Sequence, residues 1–338
     1  MTSSLSIEIN ASVALKLANI GAESYPNIES GPIYGFNESE SSINIAHIFQ
    51  FPAQYSSSSS NNDDIFNMKS SNIKYQADIL KRLQDTEAGV KLLGWFLSSV
   101  GGKTISQSII EAIINLQQLN LKENRDTTPV LFLVYDPSKS FDGLLSLKAL
   151  KLSEAFMKTW NSDEKFIAKN LIENRLSYRN IFDEVPMKIK NSHLINLTIQ
   201  QEFSTAASEE KNLELTINNM RSVDMTTENL HEAIDNLNHN LGNLNYYQRN
   251  LSRELTKVNQ WKLKTKQDNE EKLKADPNAK LDETEQDWNK HFKLPTQPSK
   301  YESLVVSSLI NNYCNNLEIS GAVELVKTTG AQKSLGLN

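Results

Sequence analysis

The sequence predicts a mixed α+β or α/β head, with one central sheet flanked by helices. A C-terminal region built on one long helix follows it. Three observations predict this class. Residues 5–152 alternate short strand-type and helix-type segments, the pattern of a layered sheet. Leu92–Val100 reads as a buried strand running into a turn, and Pro129–Tyr135 is apolar on both faces, as a central strand buried on both sides must be. From Leu213 to Val258 apolar residues recur at alternating steps of three and four, the period of a helix packed lengthwise on other helices.

Taken in order, Leu5, Ile7 and Ile9 alternate with polar residues and predict a strand. Asn10 is placed to cap a helix from Ala11 to Ile20, with Gly21 ending it. Gly31–Phe36 and the evenly spaced Ile43, Ile45, Phe49 and Phe51 predict a hairpin closed by Pro52. The serine run Ser56–Ser60 reads as a mobile low-complexity loop. Ile73, Ala77, Leu80 and Gln84 suit an amphipathic helix. After the Leu92–Val100 strand, a helix from about Thr104 carries Ile105, Ile109, Ala112, Ile113 and Leu116. Asp136-Pro137-Ser138 makes a turn after the second central strand, and Leu144–Leu152 is a further strand. Beyond Glu154 the pattern is mostly helical. Val185–Lys190 is a short extended piece, and Asn191 or Ser192 caps a helix bearing Leu194, Ile195, Leu197 and Phe203.

The long helix shows a seam of Leu213, Met220, Val223, Leu230, Ile234, Leu237, Leu241, Leu244, Leu251, Leu255 and Val258, interrupted by Thr216, Thr227 and Gln248. One helix cannot hide such a stripe alone, so a partner in this chain or another is expected, with Leu230, Ile234, Leu237, Leu241, Leu244, Leu251 and Leu255 as its contacts. Lys257–Lys274 is densely charged and reads as a solvated helix end. The expected organisation is a head over 1–205 (core about 5–152), the long helix over 206–275, a polar linker over 276–300, and a closing helix with a frayed tail over 301–338.

Bulk composition narrows the function classes. The 338 residues suggest about two domains. Met1–Ser6 lacks a basic segment leading into an apolar one, so no signal peptide is expected. The one cysteine, Cys314, allows no internal disulfide, which fits a reducing compartment. The formal net charge of -6 argues against the whole molecule acting as an electrostatic nucleic-acid binder. Within Lys257–Lys266, four lysines surround Trp261, but Asp268, Glu270 and Glu271 follow at once, so a solvated helix end is favoured over a nucleic-acid site.

Catalytic chemistry finds little support. A catalytic zinc needs three protein ligands and an open position. The five histidines, His47, His193, His231, His239 and His291, form no close pair. Ser192-His193 reads as a helix cap, since a nucleophile–base pair is defined by geometry and not adjacency. Cys314, beside the apolar stripe of the last helix, is expected to be a buried inert thiol. Neither of the glycine-rich nucleotide-binding patterns occurs. No cofactor is expected.

Several motifs resemble a known family. Gly94-Trp95-Phe96, the strand Val130–Asp136 with Pro137, Leu145–Ala149 and the Val185–Asn196 run resemble the MPN (JAMM-like) domain. Within it, the Val185–Asn196 run, the Trp288–Leu294 segment with Pro295 and Pro298, and the Tyr301–Leu317 helix with Asn312-Tyr313-Cys314 are most similar to the h-type component family of eukaryotic translation initiation factor three. The zinc-dependent MPN enzymes carry Gly-Trp-aromatic-His-Ser-His. This sequence has Leu97 and Ser99 at the two histidine positions, and Glu111 stands one residue late for the third ligand after Ser108. The resemblance therefore implies a metal-free, non-catalytic scaffold. It implies pairing with an MPN-domain partner (the factor's f subunit), entry of the C-terminal helices into a multi-subunit bundle, and a cytoplasmic place. It further implies indirect support of mRNA and initiator tRNA recruitment to the small ribosomal subunit. Two alternatives stay open here: a metal-free MPN scaffold of the proteasome lid or signalosome, and a zinc isopeptidase with an atypical site.

Overall fold

The computed structural model describes residues 5–39, 42–52, 70–87, 89–123, 129–142, 145–162, 166–206, 220–275 and 288–334. The serine run, Leu213 and Thr216 lie outside the described residues. The head holds strands β1 (Ser6–Asn10), β2 (Glu29–Ser39), β3 (Ser42–Ile48), β4 (Lys91–Ser98), β5 (Leu131–Tyr135), β6 (Leu147–Leu152), β7 (Phe182–Val185) and β8 (Met187–Lys190). Its helices are α1 (Ala11–Ser24), α2 (Ser70–Thr86), α3 (Gln107–Glu123), α4 (Glu154–Trp160), α5 (Ala168–Glu173) and α6 (His193–Ala206), with a 3-10 turn over Pro137–Asp142. The C-terminal region has α7 (Met220–Ala275), α8 (Trp288–His291) and α9 (Tyr301–Ser334).

All eight strands join one mixed sheet in the order β7-β6-β5-β4-β2-β3-β1-β8. β4 and β5 sit at its centre and pair in parallel, Gly94 opposite Leu131 and Ser98 opposite Tyr135. Every residue of β5 is buried, as its two-faced apolar sequence requires. The pairing of β2 with β4 shifts register between Ile33 and Tyr34, a bulge that leaves Leu93 without a counterpart. Leu93 and Trp95 therefore reach opposite faces, although strict alternation would put them on one. Leu93, Phe96, Leu131, Leu133 and Tyr135 pack with Val13, Leu17 and Ile20 of α1. Trp95, Leu97, Phe132 and Val134 pack with Ile109, Ile110 and Ile113 of α3 and Phe156 of α4.

The extended piece expected at Val185–Lys190 is two strands with a demanding geometry. β7 pairs antiparallel with β6 at one end of the strand order, and β8 pairs parallel with β1 at the other. Only Pro186 separates them, and its carbonyl accepts from the Ile7 N–H at 3.0 Å. The two ends must therefore lie next to each other, and the sheet curls round until one segment, Phe182–Lys190, serves both edges. Proline suits the junction because it has no N–H to satisfy.

Some local expectations change. Asn10 occupies the N-cap of α1 but makes no side-chain capping bond. Its backbone belongs to β1, paired with Lys190, and the helix starts directly off the strand. Gly21 does not end α1. It is buried inside a helix running to Ser24, facing the Tyr135 ring. β6 begins at Leu147, later than Leu144. Ser192 is the cap of α6, its hydroxyl accepting from Ile195 N–H at 3.4 Å. Leu194, Ile195 and Leu197 on α6 are exposed.

The C-terminal region departs most. α7 has 56 residues, a rod of about 84 Å. Its Lys257–Lys274 end is not wholly solvated: Trp261 packs against His291 and Phe292, with ring centroids at 5.4 and 6.3 Å. Part of the expected linker is thus ordered on α7, while 276–287 lie outside the described residues. α9 continues past Gly330 to Ser334, where fraying is expected from sequence. Its first turns belong to the head core. Tyr301, Leu304, Val305 and Leu309 pack on the α3 side of the sheet, and Lys300 N–H donates to Phe166 carbonyl at 3.1 Å.

Candidate functional site

The C-terminal end of β4 is where the motif comparison places a metal. Leu97 is fully buried in the core with Ile105, Ile109 and Ile113, so its side chain is a packing element. Ser99 is also buried, and its N–H donates to Tyr135 carbonyl at 3.0 Å, extending the β4–β5 ladder by one residue. Ser106 caps α3, its hydroxyl 3.4 Å from Ile109 N–H and 2.7 Å from the Ser108 hydroxyl. Ser108 and the exposed Glu111 open into a cavity of about 580 Å³ shared with Glu232, Asn236 and His239 of α7 and Glu302 and Tyr313 of α9. Ser99 lines a different cavity, of about 240 Å³, with Asp136, Lys139 and Asn312. The three motif positions are therefore divided between the core and two cavities. An aliphatic side chain, a neutral hydroxyl and a carboxylate in another cavity do not fit a zinc ion. Among the described residues, no group of three or more His, Cys, Asp or Glu side chains is placed to hold a metal.

Three of the five histidines have partners away from these cavities. His47 lies 3.1 Å from Glu87, and His231 lies 3.3 Å from Asp235. His291 packs against Trp261 with the rings tilted by 39°. Cys314 is exposed on α9, not buried as its position beside the stripe suggests. The apolar neighbour Tyr313 turns to the protein interior, and one residue further round the helix faces out.

Around Ser99 the local electrostatics are fixed by burial. Burial pushes the Asp136 carboxyl above its usual range, opposed by Ser138, whose hydroxyl and N–H donate to Oδ1 at 2.6 and 3.0 Å. Burial also raises the Tyr313 and Tyr301 phenols, with the Glu232 and Glu111 carboxylates adding in the same direction. Raised phenols of this kind stay protonated at neutral pH. The arrangement braces two helices against a loop.

That brace depends on Gly101 and Gly102, whose φ values of 74° and 86° lie in the left-handed region. A Cβ on Gly101 would collide with Thr226 of α7, and one on Gly102 with Asn316 of α9. Asn316 Oδ1 accepts from Lys139 Nζ at 3.0 Å, and Asn312 Nδ2 donates to Thr104 Oγ1 at 3.2 Å. Both long helices thus come down on the loop that follows β4. Ser222, Thr226 and Ala233 are the buried face of α7 there. They are small or polar, so apolar periodicity misses them. Their spacing of four and seven residues is the signal that would find them.

The predicted seam lies on an adjacent face of α7. Leu230, Leu237, Leu244 and Leu251 are half-buried. Ile234, Leu241 and Leu255 are 42%, 45% and 42% exposed. α9 packs along α7 in the same chain, and the stripe stays partly open. Among the described residues no helix is long and apolar enough to cross a membrane.

A family profile described as the C-terminal region of eIF3h matches residues 140–335. A Yarrowia lipolytica protein, named as the H component of eukaryotic translation initiation factor 3, is 30% identical over 97% of this chain and 98% of its own length. Proteins of the same name from Neurospora crassa (29% identical, 93% of this chain and 91% of that one) and Sclerotinia sclerotiorum (30%, 96% and 95%) are similar. A solution structure of a Desulfitobacterium hafniense protein overlaps 55% of this chain and 94% of its own at a TM-score of 0.33 and 12% identity, too loosely to bear on fold or function. On the profile match and the near full-length relatives, the chain belongs to the eIF3h family of eukaryotic translation initiation factor 3 subunits.

Proposed function

We propose that the protein is a non-catalytic component that helps to assemble translation initiation factor 3 in the cytoplasm. Its head is read as a metal-free MPN domain pairing with another MPN protein of the factor, the f subunit. Its helices join the other subunits in a bundle, and through that assembly it supports recruitment of mRNA and initiator tRNA to the small ribosomal subunit. The head is taken as residues 1–205, completed by the first turns of α9, with α7 as the main arm.

The observation that carries the reading is the partly open seam on α7. Seven aliphatic residues recur over Leu230–Leu255, and three of them are more than two-fifths exposed although α9 already packs on the same helix. A stripe of that length on a rod is best hidden by other helices. The separation of Leu97, Ser99 and Glu111 supports the non-catalytic part.

The double substitution Leu237→Asp with Leu241→Asp tests the seam. The head should keep its far-UV circular dichroism, while affinity purification should lose the other subunits. Recovery of the full set of subunits with the double variant would refute this role.

A further inference from the structure

We infer that the outer face of the second half of α7 is a binding surface for the phosphate backbone of single-stranded RNA. At 100° per residue, Arg249, Arg253, Lys257 and Lys264 fall within an arc of about 80°, together with Gln260 and Tyr246. All six are exposed, Tyr246 by 68%. The arc is centred about 140° from the buried Val258 and about 150° from the middle of the leucine seam. It is therefore free of both the intramolecular packing face and the proposed assembly face.

Charge along the helix is segregated. Residues 222–248 contain Asp224, Glu228, Glu232 and Asp235 and no Lys or Arg. Residues 249–266 contain six basic residues (Arg249, Arg253, Lys257, Lys262, Lys264 and Lys266) and one acid, Glu254, which gives 6 − 1 = +5 in a chain of net charge -6. Lys257 keeps a side bond to Glu254 at 2.7 Å, yet its side chain is 59% exposed. Packing of Phe292 and His291 on Trp261 docks α8 at this part of the rod, with the exposed Lys293 next in the chain.

The chemistry selects the partner. The arc presents four cations over about 22 Å and contains no aliphatic side chain. A protein partner needs an apolar centre to its interface, whereas nucleic-acid surfaces are polar and strongly cationic. Two of the cations are arginines, whose planar fork matches phosphate oxygens. Tyr246 supplies an exposed ring on the same arc for stacking on an unpaired base.

The test uses the full chain and a fluorescein-labelled oligouridine of about 20 nucleotides, read by anisotropy across a salt series. Wild type should bind at low salt, with affinity falling as salt rises. Arg249→Glu with Arg253→Glu and Lys257→Glu should weaken binding at least tenfold and flatten the log–log salt slope by about 2, the loss of three phosphate contacts on a single strand. If that variant loses helical signal, Arg249→Gln with Arg253→Gln should still weaken binding several-fold and flatten the slope by about 1.4. Arg249→Lys with Arg253→Lys should keep most of the affinity. Wild type without salt-dependent binding, or variants binding as tightly as wild type, would overturn the proposal. Equal binding of a polyglutamate peptide would also overturn it. Leu237→Asp with Leu241→Asp lies on another face and should leave RNA binding intact, so the two readings fail separately.

Discussion

Removing the Tyr301 ring should unfasten α9 from the head and destabilise the protein by about 3 kcal/mol. Tyr301 begins α9 and enters an aromatic cluster from the core side. Its ring centroid lies 4.9 Å from Phe166, 5.8 Å from Trp160 and 6.4 Å from Phe156. Each such pair contributes about 0.5–1.5 kcal/mol beyond burial. Three pairs give about 1.5–4.5 kcal/mol, within reach of the roughly 3–5 kcal/mol that loss of a large buried aromatic ring costs. Tyr301 is half-buried, which favours the lower part of that range. Its hydroxyl has no hydrogen-bond partner among the described residues, and burial holds its phenol protonated. Tyr301→Phe should therefore be neutral or slightly stabilising, because it removes an unsatisfied polar group. Guanidinium unfolding of both variants, followed by tryptophan emission, checks the pair, since Trp160 is a direct neighbour of the ring. The reasoning fails if Tyr301→Ala leaves the midpoint unchanged, or if Tyr301→Phe costs as much as Tyr301→Ala.

Two further substitutions test the head. In Gly94→Ala a Cβ would meet the Leu131 carbonyl oxygen in the parallel β4–β5 pair, so the central strands must separate. A loss above about 4 kcal/mol is expected, seen as a fall in soluble yield, and a soluble variant with the wild-type melting temperature would refute it. Asp136→Asn keeps an oxygen acceptor for Ser138 and removes a buried charge. The Asp136 carboxyl is raised in the folded state, so native protein binds the proton more tightly than the unfolded chain. Wild type should then lose stability as pH rises from the unfolded value through the folded one. The asparagine variant should be at least as stable as wild type near neutral pH, with its advantage shrinking on acidification. A variant markedly less stable at neutral pH would show that the charge is needed.

The sheet's centre was legible in the sequence because β4 and β5 are apolar runs too short for a buried helix and bounded by turn signals. The seam was legible because its period is helical over many turns. Closure of the sheet was not. β7 and β8 have four residues each, and alternation within so short a piece carries no information about which distant strand it joins. The contact between α7 and the head escaped for a different reason: Ser222, Thr226 and Ala233 gain their place by being small, which hydropathy does not register. Trp261 among lysines reads as solvated until α8 brings Phe292 and His291 from 30 residues away. Glu111 stands 12 positions after Ser99, and that interval does not reveal that the two open into separate cavities.

The segment that serves both edges of the sheet also sets when the head can form during synthesis. β1 leaves the ribosome early, but its partner β8 is 187 − 7 = 180 residues later, measured from Ile7 to Met187. Until then β1 has only β3 beside it, and one row of its backbone groups waits unpaired. The aromatic cluster waits longer, from Phe156 to Tyr301. At elongation rates of about 5–20 residues per second, that interval of 301 − 156 = 145 residues lasts about 7–29 s. Pairings so distant in sequence fold slowly, since loop closure must precede any reward. The nascent head is thus a half-built sheet for several seconds, and a partner or chaperone that covers its open edge has that window in which to act.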